Sequence, residues 1–324
     1  MHVLVTGAAG FIAAHTIKLL LQAGHTVTGL DNLNDAYDVR LKRWRLQQLV
    51  GQPGFDFYPV DIRRLPDLSA LWDKQPAVDA VINLAARSGV SQSVADPWIY
   101  FETNVTGTLN LLELCRRHAV GKFVLASTSS LYGAHNTMPY REDADTSRPL
   151  APYAASKKAA ECLCYTYHYL HQLDVTILRF FTVFGPAGRP EMSLFRFVQK
   201  VSEGRPITVF GDGSQSRDFT YVGDIARGVV AALRPVGYDI INLGSDKPVV
   251  LNDAIRLVER LTGRAAQVNY MPAHPADIKA SWADITRAGQ VLGWEPQATF
   301  EAGVTAGVEW YRAERAWASQ IETG

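Results

Sequence analysis

The stretch Met1-His2-Val3-Leu4-Val5-Thr6-Gly7-Ala8-Ala9-Gly10-Phe11-Ile12-Ala13 decides the fold. A short apolar run enters a glycine-bearing turn, and the residues from Phe11 to Ala23 then carry helical period. Strand, glycine turn and helix in that order form a place for a pyrophosphate: glycines admit the backbone close to the phosphates, and the open amides and dipole of a helix N-terminus meet the negative charge. The third glycine of the usual pattern is Ala13 here, which adds one methyl to the helix-to-strand contact. About 20 residues further on, at the end of a second strand, stands Asp31. Its carboxylate suits ribose hydroxyls and repels a 2′-phosphate, so the pattern predicts NAD rather than NADP. Gly7, Gly10, Phe11, Ile12, Asp31 and Asn32 are its expected contacts.

Outward from this turn, strand-like and helix-like segments alternate. His2–Thr6, Thr26–Leu30, Phe55–Val60, Ala80–Asn83, Lys122–Ser127 and Val175–Arg179 read as strands, and Phe11–Ala23, Ile99–His118 and Tyr153–His171 as helices. That order predicts an α/β fold with a doubly wound parallel Rossmann sheet. Past Arg179 the pattern loosens into Gly- and Pro-bearing stretches, such as Gly185-Pro186-Ala187-Gly188-Arg189-Pro190. Residues 1–179 are therefore expected to form the NAD-binding domain and 180–324 mainly a smaller C-terminal α/β substrate-binding lobe, with about 211–246 partly returning to the first. Asp61-Ile62 and Asn83-Leu84-Ala85-Ala86 close two further strands at the carboxyl edge, where an open sheet binds ligand. Asp61 is expected to accept from the adenine amino group, and the small Ala85 and Ala86 to permit close backbone approach.

Composition narrows the function classes. Lys plus Arg and Asp plus Glu both number 32, and no basic run is long enough to track a phosphate backbone, so a nucleic-acid partner is not expected. No uncharged apolar run approaches 20 residues and no leader-like segment opens the chain; the expectation is a cytoplasmic protein with no membrane partner. Cys115, Cys162 and Cys164 lack the paired spacing of a disulfide framework or metal site, and no metal is expected.

The catalytic signal follows the fifth strand. Ser127-Thr128-Ser129-Ser130-Leu131-Tyr132-Gly133 is succeeded by Tyr153-Ala154-Ala155-Ser156-Lys157, whose Tyr and Lys share one helix face. A free phenol, with a pKa of about 10, is a poor base at neutral pH; a neighbouring ammonium and a positive nicotinamide stabilise its phenolate. Tyr153 and Lys157 thus belong to both the catalytic and the cofactor sets, and Thr128 is placed to align the same substrate oxygen.

With these motifs the chain resembles the extended short-chain dehydrogenase/reductases, and within them the UDP-glucuronate 4-epimerases. The general motifs are Thr-Gly-x-x-Gly-Phe-Ile, Asn83-Leu84-Ala85-Ala86, Tyr153-x-x-x-Lys157 and Arg217-Asp218-Phe219. More specific to that group are Asp31-Asn32-Leu33-Asn34-Asp35-Ala36-Tyr37-Asp38-Val39-Arg40-Leu41-Lys42 and Gly185-Pro186-Ala187-Gly188-Arg189-Pro190-Glu191-Met192. The resemblance implies reversible conversion of UDP-glucuronate to UDP-galacturonate through a 4-keto sugar, with Tyr153 taking the O4 proton while Thr128 and Ser127 orient that oxygen. It adds Asn104 to the cofactor set and Ser129, Ser130, Thr182, Arg189 and Met192 to the substrate set. It further implies Arg217 at the diphosphate, Asp277 at the uridine ribose, Phe195 or Phe210 near the uracil, and a homodimer built on Ile99–His118 and Tyr153–His171.

Related enzymes share the C4 oxidation and diverge at the ketone. Dehydratases usually carry an Asp-Glu pair where Ser129 and Ser130 stand, and decarboxylases usually place a Glu two residues before the Tyr-Gly that is Tyr132-Gly133 here. Neither serine hydroxyl does a carboxylate's proton work at neutral pH, which favours simple inversion. A 4-epimerase of neutral UDP-hexoses remains an alternative, which Arg189 and Thr182 argue against. So does a non-catalytic NAD-sensing regulator, which the retained Tyr153, Lys157 and Thr128 argue against.

Overall fold

Val3, Leu4 and Val5 are wholly buried, because parallel strands covered on both faces have no solvent side. A computed structural model describes residues 1–272 and 279–323. Its strands are β1 (His2–Thr6), β2 (Thr26–Leu30), β3 (Phe55–Tyr58), β4 (Ala80–Asn83), β5 (Lys122–Thr128) and β6 (Asp174–Phe180). There follow β7 (Thr182–Phe184), β8 (Ile207–Phe210), β9 (Ser216–Tyr221), β10 (Tyr238–Leu243), β11 (Pro248–Val250), β12 (Val268–Met271) and β13 (Ala280–Ser281).

Seven strands make one parallel sheet in the order β10-β6-β5-β4-β1-β2-β3. The chain reverses direction across the sheet between β1 and β4, which opens a crevice at the carboxyl ends. On one face Ile17 and Leu20 of the helix Phe11–Gln22 meet Ile225 and Val229 of the helix Val222–Ala231. On the other face Leu68, Leu111, Leu112 and Cys164 form a second core. Ala13 is 1% exposed in the first core, so its extra methyl is absorbed by packing.

Strand boundaries differ from the sequence reading in local ways. β3 stops at Tyr58 because Pro59 has no N–H for the ladder and Val60 N turns back to Tyr58 O at 2.9 Å. β5 runs on to Thr128, and β6 extends at both ends. The helix expected over Ile99–His118 is Trp98–Phe101, a π-turn at Glu102–Thr106, and Gly107–Arg117. Gly107 explains the close fit there: a Cβ would lie 2.5 Å from Ile62 Cδ1.

The second lobe holds a four-stranded sheet of β7, β9, β11 and β13, and the pair β8-β12. Its core joins Phe197, Val201, Val258 and Val304, together with Leu41 from the helix Val39–Gln47 near the start of the chain. Within 211–246, β9 belongs to this small sheet, whereas Val222–Ala231 and β10 belong to the large one. Ala288, Leu292 and Trp294 also pack into the large-sheet core. No described helix is long and apolar enough to cross a membrane.

Candidate active site

The carboxyl ends of the large-sheet strands open into one cleft of about 1050 Å³, room for more than one nucleotide-sized ligand. At one end lies the glycine turn. Gly7 has φ +70°, and a Cβ there would stand 2.9 Å from Ala85 N, so only glycine fits. Gly10 begins the helix Phe11–Gln22 without a side-chain cap, which leaves the first helical amides facing the cleft. Thr6 and Asn83 fix this close approach: Thr6 Oγ1 donates to Asn83 Oδ1 at 2.7 Å and accepts from Ala85 N at 3.1 Å. Glycines without Cβ, open amides and an adjacent carboxylate together fit a dinucleotide.

Asp31 has a structural task as well. Its Oδ2 accepts from Ala9 N at 3.1 Å and its Oδ1 from Leu33 N at 2.8 Å, so the residue expected at the ribose also shapes the phosphate turn. Asn32, Ile62, Leu84 and Ala86 line the cleft with it. Asp61 lines the cleft too, but its carboxylate accepts from Asn32 Nδ2 at 2.9 Å and Arg63 N at 2.9 Å. Burial opposes its ionisation; these bonds and the Arg63 guanidinium overcome that and bring its pKa down to about 2. Asn104 sits behind the wall, 1% exposed, accepting from Arg87 N and donating to Arg87 O and Ser156 Oγ, each at 2.9 Å. It shapes the cleft from outside the lining.

At the catalytic end, Pro152 occupies the first helical turn and Tyr153 and Lys157 project from successive turns into the cleft. Burial pushes the Tyr153 phenol up, against the Thr128 hydroxyl and the Arg189 guanidinium, which favour phenolate. Lys157 donates to Ala126 O at 3.0 Å; burial lowers its pKa to about 8, with the Glu161 carboxylate opposing the fall. Thr128 Oγ1 contacts Ser130 Oγ and Ser130 N, both at 3.2 Å, and Thr128, Ser129 and Ser130 all line the cleft. Ser127 differs from expectation. Its hydroxyl donates to the buried Glu161 at 2.6 Å, so its one proton is committed away from any substrate oxygen.

Beyond the phenol, Thr182, Arg189 and Met192 form the far wall. Arg189 contacts Ser88 Oγ and is paired with Glu191, rather than standing free. Its Nε, and Glu191 Oε2, are buried without hydrogen-bond partners among the described residues. Phe195 lies against Trp310, ring centroids 5.9 Å apart, and Phe210 is 45% exposed at the end of β8; neither lines the cleft. Arg217 on β9 donates to Ser216 O at 2.8 Å and also lies outside that lining. Asp277 lies outside the described residues.

Sequence reasoning did not single out several neighbours. Lys42 is 5% exposed and donates to Asn34 O at 2.8 Å, within the group-specific motif whose individual roles were unassigned. Arg87 and Ser88 line the cleft directly after Ala86. Glu161 stands one turn beyond Lys157 on the same face, a spacing that could have flagged it. Arg45 gave no local signal.

Residues 3–244 match the model of the NAD dependent epimerase/dehydratase family. The chain is 52% identical over 308 residues to UDP-glucuronate 4-epimerase of Thermodesulfobacterium geofontis, covering 95% of each. The UDP-glucuronic acid 4-epimerase of Bacillus cereus, solved with UDP-glucuronic acid and NAD, superposes with a TM-score of 0.91 at 36% identity over 97% of this chain and 100% of that one. UDP-glucose 4-epimerase of Thermotoga maritima, solved with UDP-glucose, gives 0.88 at 29% identity, covering 97% and 100%.

Proposed function

Because the chain belongs to the NAD dependent epimerase/dehydratase family, we propose that it inverts C4 of UDP-glucuronate to give UDP-galacturonate through a 4-keto sugar. NAD is the cofactor, and when bound it would supply a hydride acceptor, and in its reduced form a hydride donor, beside C4. The large-sheet domain holds NAD through the Gly7–Gly10 turn, Asp31 and Lys157, and the small lobe takes the sugar nucleotide. Tyr153 removes the O4 proton, the Lys157 ammonium stabilises the resulting phenolate, and Thr128 aligns the oxygen. After the pyranose turns over, Tyr153 returns the proton.

The observation that supports this reading is Arg189 in the same cleft as Tyr153, with a buried Nε that has no partner among the described residues. A substrate carboxylate would exchange with Glu191 and satisfy it. Ser129 and Ser130, in the same lining, offer no acid to expel water from a ketone. A neutral UDP-hexose is the second reading, favoured by the Arg189–Glu191 pair, which needs no further anion. Incubation with UDP-glucuronate and with UDP-glucose, with C4 configuration read by NMR, separates them: inversion of UDP-glucose alone would overturn the first.

The same reading includes a cytoplasmic homodimer. Trp98 is 77% exposed and Tyr169 68%, and with Phe101, Leu109, Tyr165 and Leu170 they leave exposed apolar side chains on the helical stretch from Trp98 to Arg117 and on the helix Pro152–His171. Three free cysteines suit a reducing compartment.

A further inference from the structure

We propose that Arg45 is a positioning residue for the carboxylate-binding loop: its buried guanidinium fastens the backbone before Arg189 to the glycine turn, and the product released depends on that tie. The inference rests on the UDP-glucuronate reading and extends it to a residue outside the cleft lining.

Arg45 lies on the helix Val39–Gln47 and is 2% exposed. All five of its N–H groups are used. Nε donates to Ala187 O at 2.9 Å; one terminal nitrogen donates to Ala187 O at 2.7 Å and Gly188 O at 3.0 Å; the other donates to Ala9 O at 3.2 Å and the Tyr37 hydroxyl at 2.7 Å. The guanidinium also lies over the rings of Phe11, at 5.8 Å, and Tyr37, at 5.4 Å. No carboxylate among the described residues pairs with it. A buried cation spent wholly on carbonyls and a phenol is costly unless its geometry is needed.

The need is visible at Ala187. Its φ of +51° is left-handed, a conformation that an L-residue with a Cβ keeps only when its surroundings hold it. Arg45 supplies two hydrogen bonds to that residue's carbonyl and a third to the next. Gly188 follows, close enough that a Cβ would lie 3.8 Å from Phe11 Cζ, and then Arg189. Ala9, on the other side of the tie, is the residue whose N–H is held by Asp31. One planar fork therefore joins the three segments the sequence marked out: the glycine turn, the motif around Tyr37 and the loop 185–190. Lysine carries the charge without the fork, and methionine carries neither.

The 4-keto glucuronate is a β-keto acid. When its C5–C6 bond aligns with the C4 carbonyl π system, that bond's electron pair moves into the carbonyl, carbon dioxide leaves, and C5 takes up a proton to give a UDP-4-keto-pentose. Arg189 held in place keeps the carboxylate out of that alignment. A loop released by loss of Arg45 leaves it free to swing.

The test uses purified full-length Arg45→Met and Arg45→Lys with bound NAD. Products from UDP-glucuronate are read by NMR, and amide hydrogen exchange of residues 187–192 is measured without substrate. Both variants should raise the decarboxylated fraction of product several-fold, and exchange in the loop should accelerate by about tenfold while β5 stays protected. If Arg45→Met does not fold, Arg45→Lys carries the test alone. A folded Arg45→Lys with wild-type loop exchange and wild-type product ratio overturns the proposal. A wild-type protein that leaves UDP-glucuronate untouched overturns the underlying reading instead, and loop exchange then still decides whether Arg45 is the tie.

Discussion

Ser127 donates its hydroxyl proton to Glu161 at 2.6 Å, and Glu161 in turn grips the fully buried Arg179 through two bonds of 3.0 and 2.8 Å. Arg179 continues the network to the Tyr132 hydroxyl at 3.1 Å, and Tyr132 donates to Asn242 at 2.6 Å. The serine thus lines the cleft while its proton is spent on this buried support. Ser127→Ala should lower kcat by less than about tenfold, whereas Thr128→Val should lower it by roughly 10². Steady-state rates on UDP-glucuronate check the contrast.

Removing the charge from Glu161 strands a buried guanidinium. Glu161→Gln should cost roughly 3–5 kcal/mol of unfolding free energy, read by urea denaturation, because Arg179 keeps its desolvation penalty and loses its counter-charge. Equal urea midpoints for the variant and the wild type would refute this.

Lys157 sets a pH dependence. Its folded pKa of about 8 lies below the unfolded value of about 10.4, so its burial penalty is present below pH 8 and fades as pH rises between the two. Wild-type protein should therefore gain stability relative to Lys157→Met on going from pH 7 to pH 10. In catalysis the ammonium is the useful form. Lys157→Met should lower kcat by about 10² or more and move the acid limb of the rate profile to higher pH, since the phenolate loses its cation.

Asp31 holds Ala9 and faces the cleft, so its removal should weaken cofactor binding twice over. Asp31→Ser should purify with less bound NAD and narrow the preference for NAD over NADP by about tenfold or more, as measured by titration of the apoprotein. Unchanged discrimination would show that the carboxylate does not read the ribose.

Arg189 is expected to keep the sugar acid in the cleft and out of alignment with the ketone. Arg189→Ala should raise KM for UDP-glucuronate by about tenfold or more and release UDP-pentose products, both visible by NMR. Unchanged kinetics with no decarboxylation would remove Arg189 from the site. On the surface, Tyr169→Glu combined with Leu170→Glu should convert a dimer to a monomer in analytical ultracentrifugation.

Elements whose logic is local were legible along the chain. The run His2–Thr6 into Gly7 and Gly10, Asp31 at the end of β2, and Tyr153 with Lys157 one turn on each depend on spacing within one strand, turn or helix, and the structure brings them into one cleft. The doubly wound parallel sheet followed as well, since alternating strands and helices leave few other ways to pack, whereas its strand order was read only from the structure. The partners of buried polar groups were not legible along the chain. Arg45 reaches Ala187 across 142 residues, Ser127 turns to Glu161 rather than to a substrate, and Asn104 reaches Ser156 from a π-turn that helical period could not foretell. Hydrophobic period is written along the chain, but a buried hydrogen bond is made with whatever residue the closed fold delivers, and that choice exists only after the chain has closed.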